Sequence, residues 1–394
     1  ATPTPETPAA GSYTAVRVSL GPGLRLTRFG PIDYASRDAE IHVQANGPSE
    51  GKVDGLLIET CQYPLQVKAA VNRAKLASQE AGVSLPIFVQ VTVETTGTLL
   101  VGTDIAAAAT IIRSLGVDLM GLNCATGPQE MSEHVKWLGE NWPELISVQP
   151  NAGLPELVDG APHYPLGAPE MADWLKRFVT EDGINLIGGC CGTDVSHIAG
   201  LDAMLRAIAE DGFRPAPAKR TPNWTPSIAS LYGPMAYRQE TAAFSIGARC
   251  HANGHTRLRD PQAAGDRDDG VKMGRDQVRE GSHAIDVCTA FVGRNEVEEM
   301  DAVVTHMRGS IDAPLVIDST ELPVLESAMR LYGGKPIINS INFEDGEEAA
   351  AKRLQLARKF GAGVIALTID EDGMAKTAEE KLRIAKRLYD FAVN

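Results

Sequence analysis

The hydrophobic positions of this chain form short runs that alternate with longer segments of helical periodicity. Runs of aliphatic and β-branched residues predict strands at 16–20, 55–59, 86–93, 117–124, 145–150 and 184–190. Between them, periodic segments predict helices over 66–81, 104–115, 131–141, 170–181 and 195–209. Strand–helix alternation at this spacing is typical of a parallel α/β sheet or barrel.

A proline-rich segment separates this first unit, residues 16–210, from a second unit at 243–394. Proline fixes φ and lacks an N–H donor, so we predict an extended linker over 211–242. Residues 1–15 lack periodicity and are predicted to be a flexible tail. In the second unit we predict strands at 243–247, 284–288, 314–318, 336–342 and 364–370, and helices over 295–307, 322–332, 347–360 and 378–392.

The number of strands leaves two fold classes open. A closed (β/α)8 barrel needs eight strands, whereas the pattern predicts six in the first unit and five in the second. Each unit is therefore either an incomplete barrel or an open, doubly wound sheet, which needs no closure.

Charge and hydropathy exclude several classes of partner. The 394 residues include 37 Lys and Arg against 51 Asp and Glu, a formal net charge of −14. Such an acidic chain is a poor partner for nucleic acid or anionic lipid. No run reaches the roughly 20 apolar residues of a membrane span, and the first residues do not read as a signal peptide. We expect a soluble, cytoplasmic protein.

Three of the six cysteines carry the strongest chemical signal. Cys124 ends one predicted strand, and Cys190 and Cys191 follow another within Gly-Gly-Cys-Cys-Gly-Thr. Six cysteines are too few for a disulfide scaffold. Three thiols from two strand ends can hold Zn²⁺ and leave its fourth position open for a thiol substrate. The alternative is that they are small, buried apolar thiols.

The other cysteines and histidines do not predict a further metal site. The residues that could be considered for one lie on different segments without ligand spacing: Cys250, His251, His255 and Cys288.

Several motifs resemble the cobalamin-dependent methionine synthases, in the same order. Segments similar to the homocysteine-binding module are Leu57–Gln62, Gly121–Cys124, Pro150–Pro155 and Gly188–Thr193. Segments similar to the folate-binding module are Pro314–Thr320, Ile338–Gly346 and Ala366–Gly373. The resemblance extends from about Val16 to the C-terminus.

For the first unit, the resemblance implies a (β/α)8 TIM barrel that activates homocysteine. Zinc would be held by Cys124, Cys190 and Cys191, and the zinc-bound thiolate of the substrate would be the nucleophile. Glu59 and Asn151 match positions near the amino-acid end of homocysteine. Independently of the resemblance, Glu59 could instead satisfy backbone donors, and Asn151 could serve a left-handed turn.

For the second unit, the resemblance implies a second TIM barrel that binds 5-methyltetrahydrofolate. Asp318 and Asn339 match positions that bind the pterin, and Asp286 is a further polar residue at a strand end. A carboxylate and an amide together can bind an aminopyrimidinone edge. Because no cobalamin-binding motif is present, methylcobalamin would be bound by another domain or chain.

The sequence also departs from these families. The Asp-Gly-Ala-Met-Gly-Thr motif of the first barrel has no counterpart before Val16. The folate-module motif Gly-Glu-Arg-Thr-Asn is Gly247-Ala248-Arg249-Cys250-His251 here, and Ala290 replaces a frequent acid. We interpret the chain as a fragment or naturally shortened unit, whose missing strands come from other sequence, from a partner, or from pairing between the two units.

Three functions remain open at this point. The first is a methyltransferase unit of methionine synthesis that uses methylcobalamin. The second is an inactive or truncated zinc-binding scaffold of the same family. The third is a cobalamin-independent homocysteine or thiol S-methyltransferase.

Overall fold

The structure, a computed structural model, describes residues 17–20, 53–212, 220–252 and 268–393. The predicted tail at 1–15, residues 213–219 of the predicted linker and His255 lie outside these ranges. No helix in the described ranges is both long enough and apolar enough to cross a bilayer.

The first unit is built on a six-stranded parallel sheet. Its strands are β1 (Arg17–Leu20), β2 (Gly55–Cys61), β3 (Ile87–Val91), β4 (Leu119–Asn123), β5 (Leu145–Gln149) and β8 (Leu186–Ile187), paired in that order. A short hairpin of β6 (Glu156–Val158) and β7 (Ala161–His163) follows β5. The helices are α1 (Pro64–Glu80), α2 (Ile105–Ser114), α3 (Pro128–Asn141), α4 (Ala168–Thr180) and α5 (Val195–Glu210).

The second unit repeats this architecture with five parallel strands. These are β11 (Ile246–His251), β12 (Ala284–Cys288), β13 (Leu315–Asp318), β14 (Ile337–Ile341) and β15 (Gly363–Ala366). Two hairpins flank the sheet: β9 (Ser227–Ala229) with β10 (Pro234–Ala236), and β16 (Ile369–Asp370) with β17 (Gly373–Met374). The helices are α6 (Asp268–Arg279), α7 (Glu296–Met307), α8 (Leu322–Leu331), α9 (Gly346–Phe360) and α10 (Ala378–Val393).

These elements confirm the predicted α/β class with parallel sheets. The six strands of the first unit and the five of the second lie where the hydrophobic runs predict them, within a few residues. Within the described ranges neither sheet closes into a barrel, and no strand of one sheet pairs with the other. Pairing between the units, one of the expected sources of missing strands, is therefore not found there.

The structure adds the β6–β7 hairpin, which no predicted strand covers, and differs from the sequence-based prediction at further elements. Helix α6 was not predicted, because its buried positions are Gly270, Val271, Gly274 and Gln277, which give only a weak apolar pattern in the sequence. Strand β11 starts three residues later than the predicted strand and extends beyond its predicted end, which the sequence hid because Arg249 and His251 interrupt the apolar pattern. The predicted linker contains the β9–β10 hairpin, and the last predicted strand divides into β15 and β16.

The β9–β10 hairpin contacts both units. Ala229 packs against Ala107 and Ile111 of α2 in the first unit. On its other side the backbone of Ala229 exchanges two hydrogen bonds with Lys335, at 2.9 and 3.1 Å, before β14 of the second unit. The proline-rich segment is therefore part of the packing between the units over its described residues.

A buried lysine links the units directly. Lys68 in α1 is fully buried, and its Nζ donates hydrogen bonds to the carbonyl oxygens of Tyr332, at 3.1 Å, and Gly334, at 2.5 Å. Burial disfavours the ammonium form and lowers the pKa of Lys68 to about 7. The two carbonyls satisfy the donors, so the side chain fixes α1 against the segment that follows α8.

We expect Lys68 to make stability depend on pH. Because its pKa lies near 7 when folded and near 10.5 when unfolded, the unfolded chain binds more protons between these values. The free energy of unfolding should therefore rise with pH in this window, by up to about 1.4 kcal/mol per pH unit. Lys68→Met should flatten this rise, as measured by Tm between about pH 7 and pH 10.

Lys352→Met is the matched control, because Lys352 is exposed on α9 and its ion pair among the described residues is with Glu348 in the same helix. It should keep the pH profile of the parent chain. An unchanged slope in Lys68→Met would contradict the assignment of the effect to this amine.

Candidate thiol metal centre and second strand-end site

The three cysteines singled out in the sequence lie together at the carboxyl ends of two strands. Cys124 directly follows β4, while Cys190 and Cys191 follow β8. Cys191 Sγ lies 3.7 Å from Cys124 Sγ and 4.0 Å from Cys190 Sγ. All three sulfurs lie within 4.8 Å of one another. Sulfurs bound to one tetrahedral zinc ion at about 2.3 Å are about 3.8 Å apart, so these residues fit zinc.

The backbone around the thiols adopts conformations that are rare for residues with a Cβ. Cys124 and Ala125 have φ angles of +63° and +61°, in the left-handed region. Gly192, with φ +77°, follows the vicinal cysteines, and a Cβ there would overlap the ring of Tyr164. Strained backbone of this kind persists where the surroundings hold it in place, and it clusters at functional sites.

Hydrogen bonds among the three thiols shift their pKa values in different directions. A bond from the Cys190 thiol lowers the pKa of Cys124 to about 6, and the same bond raises the pKa of Cys190. Burial is the main reason why the pKa of Cys191 is raised. The thiolate form is therefore most favoured at Cys124, and a bound cation would favour the thiolate form of all three.

Asn123 is a residue of this site whose role the sequence analysis missed. It is fully buried at the end of β4, and its Oδ1 accepts a 2.9 Å hydrogen bond from the backbone N–H of Thr60. Its Nδ2 donates to Thr60 Oγ1 at 2.8 Å and lies 3.9 Å from Cys190 Sγ. Thr60 itself has φ +56°. The sequence did contain a signal for this role, namely an amide side chain at the end of an apolar strand, directly before Cys124.

The two residues expected near homocysteine border the thiols. Asn151 is buried, and its Oδ1 accepts a 3.0 Å hydrogen bond from the backbone N–H of Cys191. Its φ is not left-handed; the residue of that turn with positive φ is Gly153, at +89°. A left-handed turn therefore does not explain why an asparagine occurs at position 151. Glu59 is half-buried, and its Oε2 lies 3.4 Å from Asn123 Nδ2.

We expect Asn123→Ala to weaken zinc binding by about 10- to 100-fold, the usual effect of losing a group that orients metal ligands. The substitution removes the acceptor that holds Thr60 in its left-handed conformation and the amide beside Cys190. Zinc affinity measured by competition with a chromogenic chelator tests this. Asn141→Ala is the control, because within the described part of the chain the Asn141 amide donates its hydrogen bond to the Trp137 carbonyl of the same helix. Equal zinc affinities for the two variants would refute the orienting role of Asn123.

The second unit also brings its predicted site residues together at strand ends. Asp318 and Asn339 are register partners on β13 and β14. Asp286 on β12 is almost fully buried, and its Oδ2 lies 3.4 Å from Asn339 Nδ2. Burial is the main reason why the pKa of Asp318 is raised. The site thus places two carboxyl groups and one amide on three consecutive strands of the sheet.

Two further side chains, His251 and Cys288, lie beside this group. The sequence alone did not predict that they could be metal ligands. Nε2 of His251, at the end of β11, lies 3.0 Å from Asp286 Oδ2, and this hydrogen bond is the main reason why the pKa of His251 is raised. Burial raises the pKa of Cys288 to about 11. Cys250, in contrast, lies in the core and accepts from Gln277. Ligand spacing along the sequence misses such a cluster, because neighbouring parallel strands bring its members together.

Comparison with protein families identifies the class of this chain. Residues 7–205 match the homocysteine S-methyltransferase family, and residues 247–393 match the pterin-binding enzymes. The chain therefore belongs to the homocysteine S-methyltransferase family and carries a pterin-binding domain after it.

Two curated relatives of this chain are methionine synthases. The chain is 43% identical over 376 residues to those of Mycobacterium leprae and Mycobacterium tuberculosis. Each alignment covers 94% of this chain and 31% of the relative, so the chain spans about a third of their length. These matches confirm the resemblance to methionine synthases. A crystal structure of a homocysteine methyltransferase from Escherichia coli matches with a TM-score of 0.39 and 19% identity, over 48% of this chain and 62% of that one.

Proposed function

We propose that this chain is a methyltransferase unit of methionine synthesis, in which homocysteine accepts a methyl group from methylcobalamin. The observation that carries this proposal is the convergence of Cys124, Cys190 and Cys191 at separations suited to one zinc ion. In this proposal residues 16–210 form the homocysteine and zinc domain, 211–242 connect the units, and 243–394 form the folate domain.

In the first domain, the three cysteines would hold zinc and leave one coordination position to the substrate sulfur. When bound, zinc stabilises the thiolate form of homocysteine at neutral pH. Asn123 orients Cys190 and Thr60, and Asn151 holds the backbone N–H of Cys191. Glu59, near the carboxyl end of β2 in the same sheet, would bind the amino group of the substrate.

In the second domain, Asp318, Asn339 and Asp286 would bind the pterin of 5-methyltetrahydrofolate. Carboxylates accept hydrogen bonds from the N–H groups of an aminopyrimidinone, while the side-chain amide of Asn339 can donate one to its carbonyl oxygen. The adjacent positions of these residues on β12, β13 and β14 support this assignment. We further propose that each sheet is part of a (β/α)8 barrel, in which sites form at the carboxyl ends of strands, and that another domain or chain binds the cobalamin.

Incubation of the zinc-loaded chain with homocysteine and free methylcobalamin tests the proposal. We expect methionine to form faster than in a reaction without protein. Methionine formed only from a sulfonium or betaine methyl donor would support a cobalamin-independent methyltransferase instead. If no donor gives methionine while zinc is bound, the chain is a zinc-binding scaffold and the proposed activity is wrong.

Folate binding is tested separately by calorimetry with 5-methyltetrahydrofolate and metal-free protein. Asn339→Ala should weaken binding by about 5- to 100-fold, because a buried polar group of the ligand loses its partner at a cost of about 1–3 kcal/mol. Asn342→Ala is the control, since Asn342 lies in the loop after β14 and accepts from the backbone N–H of Glu344. Equal affinities for the two variants would contradict the assigned pterin site.

A further inference from the structure

In the second unit, three neighbouring strands each end in a side chain that is able to bind a metal ion. His251 is the last residue of β11, Cys288 of β12 and Asp318 of β13. His251 and Cys288 are direct register partners. A ring nitrogen of His251, the Cys288 sulfur and a carboxylate oxygen of Asp318 all lie within 4.8 Å of one another. Ligand atoms on one tetrahedral zinc ion are about 3.3–3.8 Å apart, so shifts of about 1 Å would bring these atoms onto a shared ion.

The donor set defines the kind of ion. Imidazole nitrogen, thiolate sulfur and carboxylate oxygen are the three ligand types that zinc accepts. Mg²⁺ and Ca²⁺ prefer oxygen ligands alone, so a thiol between an imidazole and a carboxylate disfavours them. Three protein ligands leave a fourth position open, which is the arrangement of reactive rather than purely structural zinc sites.

A second observation independently points to a ligand here. Asp286 lies behind the cluster, only 6% exposed, and its Oδ2 contacts His251 Nε2 at 3.0 Å. A carboxylate that holds one ring nitrogen of a histidine is the usual support of a histidine metal ligand. The other oxygen of Asp286, Oδ1, is buried and has no hydrogen-bond partner among the described residues. A buried carboxylate oxygen without a partner is a feature that a bound ion or its water would explain.

We propose that His251, Cys288 and Asp318 form a second metal site that binds a zinc-class divalent cation, with Asp286 orienting the histidine ring. This site shares no residue with the thiol centre of Cys124, Cys190 and Cys191, so it goes beyond the proposed function. It does share Asp318, and the supporting Asp286, with the proposed pterin site. An ion on Asp318 withdraws that carboxylate from a pterin, so metal and folate compete for this strand end.

Counting bound metal tests this inference. In the full chain, Cys190→Ala/Cys191→Ala leaves only one thiol at the first centre. After loading with Zn²⁺ and dialysis against a weak chelator, we expect this double variant to retain about one equivalent of zinc. Adding Cys288→Ala should remove that equivalent. Adding His251→Asn, which restores the residue of the resembling folate motif, should weaken zinc binding by more than about 10-fold.

Two further measurements separate the site from misfolding and from stray thiols. Adding Cys250→Ala to the double variant should leave the bound equivalent of zinc in place. Cys250 lies on β11 next to His251, but its thiol is buried in the core. Loading with Co²⁺ should give a thiolate-to-cobalt charge-transfer absorption that disappears with Cys288→Ala while the circular dichroism spectrum is unchanged. A double variant that holds no metal, or one that still holds its equivalent after Cys288→Ala, would overturn the proposal. Either result leaves the test of the thiol centre unaffected.

Discussion

Cys190→Ala should remove one equivalent of zinc and reduce methylation of homocysteine by more than about 100-fold. Loss of a group that only orients a ligand costs about 10- to 100-fold, so loss of a ligand should cost more. Cys190 also donates the hydrogen bond that lowers the pKa of Cys124 to about 6, so the variant loses part of the stabilisation of that thiolate. The measurements are bound zinc and the rate of methionine formation from methylcobalamin.

The fold should survive this substitution, because Cys190 lies in a half-buried turn after β8 rather than in the core. Cys250→Ala is the control for loss of a thiol, since Cys250 is buried in the second unit and bonded to Gln277. It should keep both the zinc of the thiol centre and the activity. Full activity in Cys190→Ala would show that the three sulfurs do not act on the substrate.

Gly121→Ala should strongly destabilise the first unit. Gly121 lies in β4 opposite Ser147 of β5, and a Cβ there would overlap the side-chain and carbonyl oxygens of Ser147. Because the clash is with backbone in the middle of a buried sheet, no side-chain rotation relieves it. Overpacking of this kind costs about 3 kcal/mol, which corresponds to a fall of about 6–12 °C in Tm.

Gly200→Ala provides the matched comparison for thermal denaturation. Gly200 lies within α5, and the nearest atom to a new Cβ would be the carbonyl oxygen of Ala168 at 3.5 Å, an ordinary contact. Alanine also favours the helix by up to about 1 kcal/mol, so Tm should stay the same or rise slightly. If Gly121→Ala melts within about 2 °C of the parent chain, β4 and β5 do not require this close approach.

The thiol centre was predictable because its residues stand in an unusual local pattern. Vicinal cysteines between glycines, with a third cysteine at another strand end, already indicate a metal site, and the motif order adds the resemblance. The orienting role of Asn123 was not predictable in this way. It depends on Thr60, 63 residues away in sequence, which reaches the amide only because β2, β3 and β4 pair in register.

The cluster of the second unit shows the opposite case. Along the sequence, His251, Cys288 and Asp318 are separated by more than 25 residues each, and nothing in their spacing suggests shared ligation. Parallel pairing brings the last residues of β11, β12 and β13 to one edge. The linker is a related example, since its proline content does not reveal that Ala229 packs on α2.

The amino-acid sequence by itself determined the order of the sheet strands and of most helices, and the identity of the three thiols. Both are local properties, because side-chain periodicity reports which face is buried, and motifs report which atoms are available. Only the tertiary structure decided which side chains meet: Asn123 with Thr60, Lys68 with the carbonyls after α8, and His251 with Asp286. These contacts arise from strand register and from packing between the units, and neither leaves a periodic signal along the chain.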